Sequence, residues 1–130
     1  MEKLIVKVDW CKSNFVAEAY DEQLGSVLVT AASYEKLQES FADALSFHIE
    51  GLKEKGMSVP EYELSYELSL AATLQQAEKY TTLTAISGVT GIKVQLLSHY
   101  ADGKRMAKPN TRERIIKGIN QIGGKLESFA

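Results

Sequence analysis

TLTAISGVTGIKVQLLSHYADG, residues 82–103, holds two helical patterns in quick succession. Thr82 can cap a short helix that contributes Leu83 and Ile86. Gly88-Val89-Thr90 then interrupts the pattern, and a second helix begins at once and ends at Gly103. Gly88 supplies the backbone freedom a tight turn needs, and Val89 is the apolar plug expected between the helices. Thr90 is expected to cap the second helix. In that helix Val94 and Leu97 point inward, while Gly91, Ile92, Lys93, Gln95, Leu96 and His99 face outward. Two short helices about a glycine-containing turn have the spacing of the DNA-reading helix-turn-helix. Consecutive helices in any bundle share part of that spacing, so the flanking residues must decide.

Downstream, GKRMAK places Lys104, Arg105 and Lys108 directly after the second helix, where a loop gripping a phosphate backbone belongs. Pro109-Asn110-Thr111 opens a final helix with an apolar stripe of Ile115, Ile116, Ile119, Ile122 and Leu126, and with Arg112, Arg114 and Lys117 outside. Upstream, LQQAEKY reads as a helix carrying Leu74, Ala77 and Tyr80, entered through Ala71-Ala72-Thr73. Residues 73–130 carry nine Lys/Arg and four Asp/Glu, a net +5. Residues 1–72 carry six and thirteen, a net −7. The overall charge of −2 therefore hides two modules suited to different partners, the basic one to a polyanion. The residues expected to meet double-stranded DNA are Thr82, Thr90, Gly91, Ile92, Lys93, Gln95, Ser98, His99, Lys104, Arg105, Lys108, Asn110 and Thr111.

The acidic half has the period of strands. KLIVKVDW alternates Leu4, Val6, Val8 and Trp10 against Lys3, Lys7 and Asp9; CKSN is turn chemistry; FVAEAY (Phe15–Tyr20) returns as a second strand. SVLVTA after Gly25 is a third. Ser33 then caps a long helix with Leu37, Phe41, Ala44, Leu45, Ile49 and Leu52 on one stripe, stopped by Gly56. YELSYELSL, with Tyr62, Leu64, Tyr66, Leu68 and Leu70 alternating against Glu and Ser, is the clearest strand in the chain. The order predicts an α+β fold: a β-β-β-α-β antiparallel sheet with one packed helix over 1–72, then an all-α helix-turn-helix domain over 73–130.

Several classes of function find little support. Asp9, Glu18 and Asp21 could hold a metal for phosphoryl chemistry, but charged strand residues usually solvate an outer face, and no ligand spacing joins them. His48 lies beside the helix stripe and reads as a packed residue; Cys11 sits in a turn with no nearby His and is a weak nucleophile. No glycine-rich phosphate loop occurs, so the expectation is a non-enzyme with no cofactor and no metal. No apolar run approaches membrane-spanning length, and MEKLIVKVDW is too short and charged for an export signal. With its single cysteine, the chain is expected in a reducing cytoplasm and away from membranes.

The two halves together resemble a known family. KLIVKVDW, NFVAEAY, SYEKLQESFADALSFHIEGL and YELSYELS are similar to the N-terminal domain of HicB antitoxins, a partial ribonuclease-H-like fold without nuclease activity. TLTAISGVTGIKVQLLSHYADGKR with TRERIIKGINQIGGKL resembles the Cro/C1-type helix-turn-helix that many HicB proteins carry behind it. The chain departs from the pattern after its second strand, where DEQLGSVLVT replaces the usual Pro- and Gly-rich turn, and at Gly91 and Leu96, where polar residues are common. The resemblance implies an antitoxin that blocks a HicA-like RNA-cleaving toxin, through residues within 1–72, and represses its own operon. One small helix-turn-helix reads only a few base pairs, so a homodimer or higher even oligomer is expected to read paired half-sites. The competing expectation is a stand-alone repressor whose N-terminal half dimerises it or senses a ligand.

Overall fold

A computed structural model describes residues 1–129. Two compact units follow one another, Met1–Ser69 and a second from Leu70 onward. The first holds β1 (Glu2–Cys11), β2 (Asn14–Asp21), β3 (Gly25–Ala31), α1 (Tyr34–Glu54) and β4 (Tyr62–Leu68). Lys12 and Ser13, both at positive φ, make the two-residue turn between β1 and β2, whose twist suits a hairpin. Between β2 and β3 the Asp21 carboxylate accepts the backbone N–H groups of Gln23 and Leu24, and Gly25 takes φ 81°. The alternation read in the sequence becomes one buried face: Leu4, Val6 and Val8 of β1, Phe15, Ala17 and Ala19 of β2, and Val27 of β3. α1, capped by Ser33 Oγ accepting the Lys36 N–H at 3.2 Å, packs on the sheet with Leu37, Phe41 and Leu45 buried. The stripe was legible because burial follows the 3.6-residue period.

The expected antiparallel sheet is corrected. The strand order is β3-β2-β1-β4, and β4 runs parallel to β1 with Leu4 opposite Leu64 and Val6 opposite Tyr66. The sheet is mixed because α1, 21 residues long, carries the chain from the β3 edge to the far edge, a crossover that delivers the next strand parallel. The expected partition into a sheet and a distinct all-α helix-turn-helix domain is corrected with it. Among the described residues the fold is α+β, a four-stranded mixed sheet with five helices, and β4 passes into the next helix with only Ser69 between them. Ala71, Ala72 and Thr73 are not a linker but the first turn of that helix, and Leu70 is a buried core residue there and no part of the strand.

The second unit holds α2 (Leu70–Ala77), α3 (Leu83–Thr90), α4 (Val94–Ala101) and α5 (Pro109–Glu127). Leu70, Leu74, Ile86, Ile92, Leu97, Tyr100, Ala101 and Ile115 form its core, drawn from all four helices and the α3–α4 turn. Thr82 Oγ1 caps α3 by accepting the Ala85 N–H at 3.0 Å, and Pro109 occupies the first turn of α5, where its missing N–H costs nothing. Gln75 donates its amide to the Ala101 carbonyl at 2.8 Å, tying α2 to the end of α4.

Candidate nucleic-acid interface

The turn between α3 and α4 lies three residues later than the sequence suggested. Gly88 is an ordinary helical residue; the break is made by Gly91, which takes the left-handed conformation at φ 76° and ψ 7° and donates its N–H to Ser87 at 2.8 Å. Gly91, Ile92 and Lys93 form the turn. Thr90 therefore ends α3 rather than capping α4, and its side chain is only 6% exposed. Its hydroxyl donates to the Ile86 carbonyl at 2.7 Å and accepts the Ile92 N–H at 3.2 Å, so it stitches the turn shut and has no face for a phosphate. Arg114 of α5 closes the arrangement from outside by donating to the Thr90 carbonyl. A cation against the last carbonyls of a helix also complements its dipole.

The shifted turn rephases α4. Ile92, expected outward, is buried in the core; Val94, expected inward, is 41% exposed, as is the supposed plug Val89. Leu97 is inward as expected, joined by Tyr100 and Ala101, while Leu96 is half-covered. A helix that starts at Val94 puts residues 97, 100 and 101 on one side, which moves 94 off it.

What remains exposed is a short basic surface. Gly91, Lys93 and Gln95 are exposed at the start of α4, whose N-cap Lys93 offers no side-chain hydrogen bond to the first turn. The start of α4 thus has no side-chain cap, and the positive end of its helix dipole lies beside Lys93 and Gln95. Ser98 and His99 are half-buried further along. At the other end of α4, Gly103 at φ 77° turns the chain, and the N–H groups of Lys104 and Arg105 both donate to the His99 carbonyl. This fixes the backbone of the loop while the Lys104, Arg105 and Lys108 side chains stay exposed, Lys104 with a 3.9 Å contact to Asp102. Asn110 uses its Oδ1 to accept the Thr111 N–H at 2.9 Å, and Thr111 is half-buried. Thr82 is exposed but committed to its cap. Of the thirteen residues expected to meet DNA, Thr90 and Ile92 are thereby buried, while Arg114 is bound to the Thr90 carbonyl and Lys117 pairs with Glu113 at 3.1 Å. Arg114 and Lys117 line a groove of about 370 Å³ between α3 and α5, together with Val89, Asn110 and Gly118. No local pattern marks Arg114, because its partner lies 24 residues away.

Two of the three carboxylates singled out in the first unit, Asp9 and Asp21, are engaged in structure. Asp9 Oδ1 accepts the Ser69 hydroxyl at 2.7 Å and the Trp10 N–H at 2.8 Å. Asp21 accepts the Tyr62 hydroxyl at 2.9 Å besides its two turn N–H groups. Burial, then this bond to Asp21, pushes the Tyr62 hydroxyl up to about 12. Burial likewise raises Tyr34 and Tyr66, whose rings pack edge to face. Glu18 is exposed opposite Lys7 and Leu28. The His48 ring is hydrogen-bonded to the Leu24 carbonyl, and Cys11 is an exposed free thiol. Among the described residues no three His, Cys, Asp or Glu side chains gather to hold a metal, and no helix is long and apolar enough to cross a membrane.

Comparison with protein-family models, with curated proteins and with solved structures yields no match. Fold and surface define a class only: a small α+β chain with a mixed four-stranded sheet and a basic two-helix corner.

Proposed function

We propose that the chain is a DNA-binding repressor of the antitoxin kind, similar in role to HicB proteins. One observation carries the DNA half of this reading. The uncapped start of α4, with Lys93 and Gln95 exposed beside it, and the exposed Lys104, Arg105 and Lys108 belong to the same short helix and its following loop. A helix N-terminus and lysines suit phosphates, and a glutamine amide in the major groove pairs with adenine. Laid against a duplex, α4 reads with Gln95 while the loop grips the backbone.

The antitoxin half rests on the acidic character of the first unit and on the family resemblance. A surface rich in carboxylates complements the basic surface that an RNA-cleaving toxin needs, and complementary charge speeds and orients association. Footprinting of the full chain on the DNA upstream of its own gene tests the first half; a chain that protects no site there ends the repressor reading. A small basic reading frame beside its own gene, co-expressed with the chain, tests the second; the absence of any such frame counts against it. Rescue of growth and co-purification are expected, whereas operator binding without any toxin partner leaves a stand-alone repressor.

A further inference from the structure

The apolar stripe of α5 outruns the core that covers it. Ile115 is fully buried and Ile119 partly so; further on Ile122 is half-covered, Leu126 is 55% exposed, and Phe129, just past the helix, is 75% exposed. On a 3.6-residue helix Ile115, Ile119, Ile122 and Leu126 share one face, so one amphipathic stripe continues where its own unit no longer reaches. Beside the uncovered end lies a groove of about 720 Å³ lined by Val89, Ile122, Gly124, Lys125 and Leu126. A continuous apolar surface on an otherwise charged unit marks a place of contact.

We propose that this groove is the contact between two copies of the chain, each setting Leu126 and Phe129 against the groove of the other. Two features select a second copy. The projecting side chains and the groove occupy the same surface, which is the self-complementarity that a two-fold contact requires. Charge agrees: Lys125 and Glu127 flank Leu126 on opposite sides of the helix. Two α5 helices running in the same direction about a two-fold bring the Lys125 of each copy beside the Glu127 of the other. The patch is neutral within a unit of net positive charge, so two copies meet there without setting their basic surfaces together. Lys125 also lies over the Phe129 ring, with its Nζ 5.8 Å from the ring centre, and holds that ring near the groove. None of this depends on the DNA reading.

Sedimentation equilibrium of the full chain without DNA tests the contact. The wild type is expected to be a dimer. Leu126→Asp, which buries a carboxylate without a partner, is expected to weaken it by at least about 100-fold. Lys125→Glu and Glu127→Lys, both at exposed positions, are each expected to weaken it by about tenfold, and the double reversal to return it to within about threefold of wild type. Circular dichroism of each variant confirms that the helices persist. A wild type still monomeric at about 100 µM, a concentration that fills a micromolar contact, overturns the proposal. So does a dimer indifferent to Leu126→Asp, or single reversals that the double does not restore. Loss of DNA binding with the dimer intact would count against the repressor reading alone.

Discussion

The Thr90 methyl group stands directly over the Cα of Gly118: a β-carbon built at Gly118 would lie 2.5 Å from Thr90 Cγ2 and 3.2 Å from Val89 Cγ2. No rearrangement of a flexible tip relieves this, because Thr90 is β-branched, buried and hydrogen-bonded at both ends of its hydroxyl. The C-terminus of α3 therefore approaches α5 as closely as it does only because position 118 lacks a side chain.

Gly118→Ala is accordingly expected to destabilise the chain by about 1–3 kcal/mol through overpacking. Helix propensity alone would make the same change stabilising by roughly 0.5–1 kcal/mol, so the sign of the effect reports the packing. Adding Thr90→Ser removes Cγ2, keeps the hydroxyl, and should recover part of the loss. Urea melts of the three variants decide the matter; a Gly118→Ala chain at least as stable as wild type would contradict the contact.

The position of the turn predicts opposite outcomes for two glycines three residues apart. Gly88 is helical with open space where a β-carbon would go, so Gly88→Ala should stabilise by about 0.5–1 kcal/mol. Gly91 is left-handed, and a β-carbon there meets the Arg114 guanidinium at 3.1 Å; Gly91→Ala should destabilise by about 1–2 kcal/mol. Thermal melts that reversed this order would place the break back at Gly88.

On DNA, Gln95→Ala should cost about 1–3 kcal/mol on the operator and relax specificity at one base pair. Lys104→Ala with Arg105→Ala should weaken binding to all sequences about equally and lower the salt dependence by roughly two counter-ions. Thr90→Ala, by contrast, should lose stability first, because the Thr90 hydroxyl is spent on Ile86 and Ile92. Titrations on operator and random duplexes at several salt concentrations separate these effects. Equal loss on both duplexes for Gln95→Ala would remove it from base reading.

Tyr62 gives the fold an alkaline limit. Its hydroxyl is held protonated by burial and by its bond to Asp21, with its pKa raised from 10.0 to about 12. An unfolded chain loses that proton first, so the contribution of Tyr62 to stability is complete below pH 10 and lost as the pH climbs toward 12. Tyr62→Phe should lower stability at neutral pH and flatten the decline above pH 10. Denaturant melts across that range measure both, and parallel pH profiles for the two proteins would show that Tyr62 does not titrate late.

Some of this architecture is written in neighbouring residues and some is not. Alternation in residues 4–10 and 62–68, the α1 stripe, the Ser33 and Thr82 caps and Pro109 at the start of α5 are local signals: each depends on a hydrogen bond or a period spanning a few residues, and each appears where the sequence predicts it. The same locality misled at residues 88–94. Gly88 and Gly91 are equally good local candidates for a turn, and the choice falls to Gly91 because Ile92 is then buried in the core and Thr90 closes over Ile86.

The sequence by itself determined the strands, the α1 stripe and the caps at Ser33 and Thr82, because period and capping act within a turn or two of the chain, but neither the α3–α4 break nor the apolar face of α4. Only the tertiary structure decided that β4 lies parallel to β1, that Thr90 is buried against Gly118, that Arg114 closes the end of α3, and that Tyr62 meets Asp21. These relations join residues 24 to 60 positions apart, and one of them turns on a side chain that is absent. Their energies come from packing and pairing that exist only once the chain has closed on itself, and no short stretch of sequence carries that information.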